Sequence, residues 1–203
     1  AWMAPNLFSA SMLSLGKFTR WTMLGHHVLH RGYDDAPGAR PEQTSKAFAR
    51  GQRRFVDWLD VIHPDAWDQE HNILHHYRLG EAADPDLVER NLEWLRRADV
   101  PKPAKAALVA LLAAAWKWIY YAPNTLSELQ VARAKRDGDT TFVPTNGLLD
   151  FATWNPLDPR GRELYVKCLL PYAAWNFVAV PALFAPLGPV AMTNVLLNQV
   201  LAE

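Results

Sequence analysis

Cysteine is nearly absent: Cys168 is the only one in 203 residues. A single thiol excludes a disulfide framework within the chain and a cysteine-rich zinc or iron–sulfur site. Net charge is absent as well. Lys+Arg and Asp+Glu both number 21, which argues against a nucleic-acid partner held by a broad basic surface. No initiating Met is present, and no basic stretch precedes a short apolar run with a cleavage site, so no signal peptide is legible. The chain opens and closes in apolar sequence and reads as a fragment of a longer protein. Histidine is missing from the whole stretch after His76.

What is present is uneven. Six of the seven histidines lie in two short runs, His26-His27-Val28-Leu29-His30 and His71-Asn72-Ile73-Leu74-His75-His76. If both are helical, each places two imidazoles at i and i+4 on one face, His26/His30 and His71/His75. Paired imidazoles at that spacing are a common way for a helix to hold a transition metal. The two runs are expected to face each other and to carry most of a metal centre at a membrane surface. Nine tryptophans fit such a surface, where an amphipathic ring suits the headgroup level.

Along the chain, residues 1–30 read as the end of an apolar segment leading into the first histidine run. Residues 31–103 read as a polar helical cap carrying the second. Within it a helix is expected over 44–62, with Phe48, Phe55, Leu59 and Ile62 as its apolar stripe. His63-Pro64 stops it, with His63 as a capping residue at the helix end; another is expected from Asp65, as N-cap, to Leu79, with Arg78 in its last turn and Gly80 at its C-terminal position. Asp84-Pro85-Asp86 opens a third, which closes at Arg96-Arg97. Residues 104–122 form an apolar helix just long enough for a hydrocarbon core that needs about 20 residues. Its terminal Trp116, Trp118, Tyr120 and Tyr121 are expected as an interface belt. Residues 123–163 read as an extramembrane loop with at most short elements. Residues 164–203 read as a membrane helix bent or broken at Pro181, Pro186 and Pro189, then a separate apolar helix. Asn194 and Asn198 share a face there and read as interhelical hydrogen-bonding groups. Twelve Lys/Arg over 31–105 against five over 123–163 place the histidine-bearing segment in the cytoplasm. The fold class expected is all-α: membrane helices with a cytoplasmic helical cap.

The residues between the histidines narrow the chemistry. A zinc protease needs His-Glu-x-x-His, with Glu activating the water; His27 and Asn72 stand in that place. A soluble carboxylate-bridged di-iron bundle needs Glu-x-x-His; Glu70 lies directly before His71 and does not make it. What remains is an all-imidazole site for a borderline metal: iron, zinc or copper. Glu70, Asn72, Asp34 and Asp68 are candidates to orient imidazoles through ring N–H bonds.

At this point the pattern resembles the membrane fatty acid desaturases and related hydroxylases, which carry three histidine boxes. His26-x3-His30 matches the first and His71-x3-His75-His76 the second, over nearly the whole chain. No histidine follows His76, so the third box is expected beyond Glu203, and the fragment alone is expected to be inactive. The resemblance implies metal ligation by His26, His30, His71, His75 and His76, with His27, Glu70 and Asn72 as further ligands or ligand-orienting groups. It implies two iron ions, O2 as co-substrate, a fatty acyl lipid substrate, and an integral membrane location (bacterial inner membrane or endoplasmic reticulum). It implies a separate ferredoxin- or cytochrome b5-type electron carrier; His63-Pro64-Asp65 does not make a fused carrier's His-Pro-Gly-Gly. A hydroxylase, ketolase or alkane monooxygenase of the same fold, or a non-catalytic membrane protein binding metal or haem, are the alternatives.

Overall fold

The computed structural model describes residues 6–144 and 149–203. It is all-helical, with no strand among the described residues. Two helices, Lys102–Asp137 and Pro159–Leu187, are long and apolar enough to cross a membrane, at 36 and 29 residues. Among the described residues, five stretches of helix widen into π-helical turns: Arg20–Gly25, Asp68–His75, Lys117–Tyr121, Tyr165–Leu169 and Ala174–Ala179. Such turns bond i to i+5 instead of i to i+4 and are rare.

Three of the five stand just before a proline. Pro123, Pro171 and Pro181 each begin two residues after a wide turn ends. A proline inside an α-helix offers no N–H and its ring clashes with the carbonyl four residues back. A wider turn upstream moves that carbonyl away, so the helix passes through the proline instead of stopping. This is why the helix expected to end at Ala122 continues to Asp137, through residues expected to be loop. It ends at Gly138, whose φ of 71° suits glycine at a left-handed helix stop. The second long helix also starts earlier than expected, at Pro159, because Asp158 Oδ1 accepts the N–H of Arg160 at 2.9 Å.

The chain divides into two compact units, Ala1–Asp60 with Leu169–Glu203, and Val61–Cys168. In the first, Asn6 caps the helix Leu7–Thr19, its Oδ1 accepting the N–H of Phe8 at 3.0 Å. That helix runs through the wide turn Arg20–Gly25 into His26–Leu29 and packs against the C-terminal helix Pro189–Leu201. Lys17 pairs with Glu203, which also accepts the Tyr172 hydroxyl at 2.6 Å.

The helix expected over 44–62 does not form; turns and two 3-10 segments, Pro41–Gln43 and Gly51–Phe55, occupy 41–55. Ala49 has a φ of 55° and Gly51 one of 53°, values an α-helix cannot contain. Side chains instead accept the backbone N–H groups: Asp34 that of Ser45 at 2.7 Å and Asp57 that of Ala49 at 3.0 Å. The expected stripe inverts in part, with Phe55 exposed and Arg54 buried, donating to the Asp60 carbonyl at 2.7 Å. Buried Trp58 lies against Gly25, where an added Cβ would stand 3.3 Å from its ring.

In the second unit, the helix begun at Pro64–Trp67 continues through the wide turn Asp68–His75 to His76–Arg78. It packs on the Ala122–Asp137 part of the long helix, burying Ala66, Trp67, Leu126 and Leu129. Its N-cap is His63, whose Nδ1 accepts the N–H of Asp65 at 3.2 Å, so Asp65 is inside the helix and not the cap. Gly80, with φ 77°, follows its end as expected. The third expected helix comes as two short pieces, Val88–Asn91 and Glu93–Arg97.

Candidate metal centre

The first histidine run follows a wide turn and the second sits on one, and no proline demands either turn. In the first unit the His26 N–H bonds to the carbonyl of Trp21, closing the turn Arg20–Gly25 immediately ahead of the histidines. The His26 and His30 rings then lie 4.5 Å apart, centroid to centroid, both half-buried. His27 is exposed and donates its Nδ1–H to the carbonyl of Met23 at 2.7 Å. It turns away from the i, i+4 pair.

In the second unit the wide turn decides which histidines meet. In an α-helix each residue advances about 100°, so positions i and i+5 stand about 140° apart. Three imidazoles spaced His71-x3-His75-His76 therefore cannot share one α-helical face. An i to i+5 turn rotates less per residue and returns position i+5 over position i. The His76 N–H is bonded to the His71 carbonyl in this way. As a result the His71 ring lies 5.1 Å from His75 and 4.7 Å from His76, and the Nε2 atoms of His71 and His76 are 3.2 Å apart. Two nitrogens bound at about 2.1 Å to one ion stand roughly 3–3.4 Å apart, so this pair fits a shared borderline metal.

Neighbouring groups hold the trio. Trp67 stacks on His71 at 4.3 Å and 23°. Asp84, 2% exposed, accepts the Nδ1–H of His75 at 2.9 Å, which leaves His75 Nε2 outward. Burial alone would raise the Asp84 carboxyl, but hydrogen bonds from His75, Gly80 and Asp86 outweigh it and hold the group below its ordinary range. Asp84 was not among the orienting groups read from the sequence. A signal was there: an acid a few residues past the glycine stop, on a loop short enough to fold back onto the helix's last turns.

The groups that were expected behave otherwise. Asn72 donates to Asp68 at 2.7 Å. Asp34 serves Ser45. Glu70 is fully buried beside the Tyr121 hydroxyl. Burial, followed by the nearby charges of Asp86, Glu128 and Asp84, pushes its pKa up to about 9, with the Tyr121 hydroxyl a partial offset. Two residues of the expected interface belt, Tyr120 and Tyr121, are buried, and the Tyr120 hydroxyl accepts the Asn91 amide at 2.6 Å. Asn198 donates to the Asn194 carbonyl at 2.9 Å and to its Oδ1 at 3.1 Å, so these bonds run along one helix and not between helices.

One unit therefore sets His26 and His30 side by side on an α-turn, and the other brings the rings of His71, His75 and His76 within 5.6 Å of one another on a wide turn. No family model matches the chain, and no curated protein or solved structure matches it either.

Proposed function

We propose that the chain carries part of the metal centre of a membrane-embedded, oxygen-dependent fatty acyl desaturase. The observation that carries this reading is the convergence of His71, His75 and His76 on one wide turn in the spacing His-x3-His-His. That both histidine runs, His26/His30 and His71/His75/His76, serve one centre rests on the sequence pattern of the two boxes. The imidazole set suits two iron ions, which when bound supply the oxidation of an unreactive acyl chain. The chain's own part is to hold the ligands in place: Trp67 covers one face of His71, and Asp84 fixes the His75 ring. Two helices able to cross a bilayer would bring an acyl lipid to the centre. The excess of Lys and Arg over 31–105 puts the histidines on the cytoplasmic side, where a ferredoxin- or cytochrome b5-type carrier would deliver electrons.

The test is expression in a host lacking the activity, followed by mass spectrometry of its lipids and metal analysis of the purified full-length protein. A new acyl double bond, lost in His71→Ala and His75→Ala, together with two irons per chain, is the expected result. A hydroxylated product moves the protein to the hydroxylases, and zinc or a single haem in place of iron overturns the reading.

A further inference from the structure

The loop Asp84-Pro85-Asp86 is more tightly fixed than a connection of its length requires. Asp84 Oδ1 accepts both His75 Nδ1–H at 2.9 Å and the Asp86 N–H at 2.9 Å, while its Oδ2 accepts the Gly80 N–H at 3.1 Å. The carbonyl of Pro85, next to it, accepts the side-chain amides of Asn91 at 2.7 Å and Asn124 at 3.1 Å. Asn124 belongs to the long helix Lys102–Asp137, so the loop is tied to the most extended element of its unit. The His75 ring is bonded to a carboxylate of this loop.

From this we infer that Asp84 is the positioning residue of the metal centre, setting the tautomer and the ring plane of His75 so that Nε2 is the ligating atom. The inference rests on the metal-centre reading above. Physically, a carboxylate on Nδ1–H selects one of two neutral tautomers and raises the basicity of the opposite nitrogen. The ring can rotate about its own bonds to the backbone; Asp84, held by two backbone N–H groups, removes that freedom before any ion arrives. His71 and His76 need no such partner to meet, because the wide turn itself sets their rings 4.7 Å apart. The aim of His75 is set from outside the helix, by Asp84.

The test uses the full chain in detergent with cobalt(II) alone as the probe, and 15N-histidine NMR of the metal-free protein. Asp84→Ala is expected to weaken cobalt binding about 10–100-fold. It should also remove the Nδ1–H tautomer signal of His75. Asp84→Asn keeps an acceptor oxygen and is expected to restore both to within a few-fold of wild type. In a His75→Ala background, Asp84→Ala should cost nothing further in cobalt affinity, which a merely structural role of the loop would not produce. An unchanged His75 tautomer in both Asp84 variants overturns the inference whatever the metal result. Wild-type chain that takes up no cobalt, with the tautomer still responding to Asp84, overturns the metal-centre reading and with it any role for Asp84 in a metal site.

Discussion

The helices of this protein widen for two different reasons. At Lys117–Tyr121, Tyr165–Leu169 and Ala174–Ala179 the widening precedes Pro123, Pro171 and Pro181, and the local sequence is a sufficient cause. At Arg20–Gly25 and Asp68–His75 no proline follows, and yet the α-helical ladder is given up. There a tryptophan packs on the widened stretch, Trp58 from another segment against Gly25 in one unit and Trp67 from the preceding turn of the same helix on His71 in the other. A wide turn that its own sequence does not demand has to be maintained by packing; one such turn carries His71 and His75, and the other ends immediately before His26. The lesson is that an unforced departure from α geometry marks the site better than the histidines alone, since it shows which of them are brought together.

The sharpest way to break that comparison is to remove the packing. Trp58→Ala should destabilise the first unit by about 3–5 kcal/mol, as for a buried tryptophan elsewhere. Hydrogen exchange should quicken at Arg20–Gly25 but not at Tyr165–Leu169; equal loss of protection in both would show that the two kinds of turn do not differ. Next in size is a change of register. Inserting one alanine between Ile73 and Leu74 moves His75 and His76 to the fifth and sixth positions after His71, which neither helix geometry gathers. Cobalt(II) affinity, read by equilibrium dialysis, should fall by at least about 100-fold with helix content unchanged. Undiminished binding would detach the metal site from the turn.

A smaller effect is expected at a proline-associated turn. A proline inside a helix ordinarily costs about 3 kcal/mol relative to alanine. Because the turn Tyr165–Leu169 already accommodates Pro171, Pro171→Ala should gain less than about 1 kcal/mol in thermal unfolding, and a gain near the full cost would refute the accommodation. The smallest effect lies in the loop after the first histidine turn. Hydrogen bonds from the Ser45 N–H and hydroxyl hold Asp34 below its ordinary value of 3.8. A carboxyl depressed in the folded state contributes stability above its unfolded pKa and loses it as the pH falls through the folded one. Acid titration of unfolding should therefore show a shallow loss below about pH 4 that Asp34→Asn removes.

Part of this was legible from residues alone. Gly80 as the stop of the second histidine helix and the helicity of the two long apolar runs follow from local rules that tertiary structure did not override. Two kinds of feature escaped. Pro123 reads as a helix end because the rule for proline is local, whereas its accommodation needs the wide turn upstream. The helix over 44–62 was inferred from spacing, but Asp34 and Asp57 compete for its backbone N–H groups, and the positive φ of Ala49 leaves no ladder to extend. Asp84 escaped for another reason: its role depends on a loop folding back, which neither periodicity nor spacing encodes.

Each wide turn also holds one residue more than an α-helix would use over the same span. A chain that lost one residue between His71 and His75 would carry the trio at positions i, i+3 and i+4, which an ordinary α-turn already places within about 100° of one another. Box spacings that differ by one residue can thus present the same three nitrogens, the longer on a widened turn and the shorter on a regular one. The turn at Asp68–His75 is in this sense a length buffer, a place where an insertion or deletion changes the helix type and leaves the ligand geometry standing.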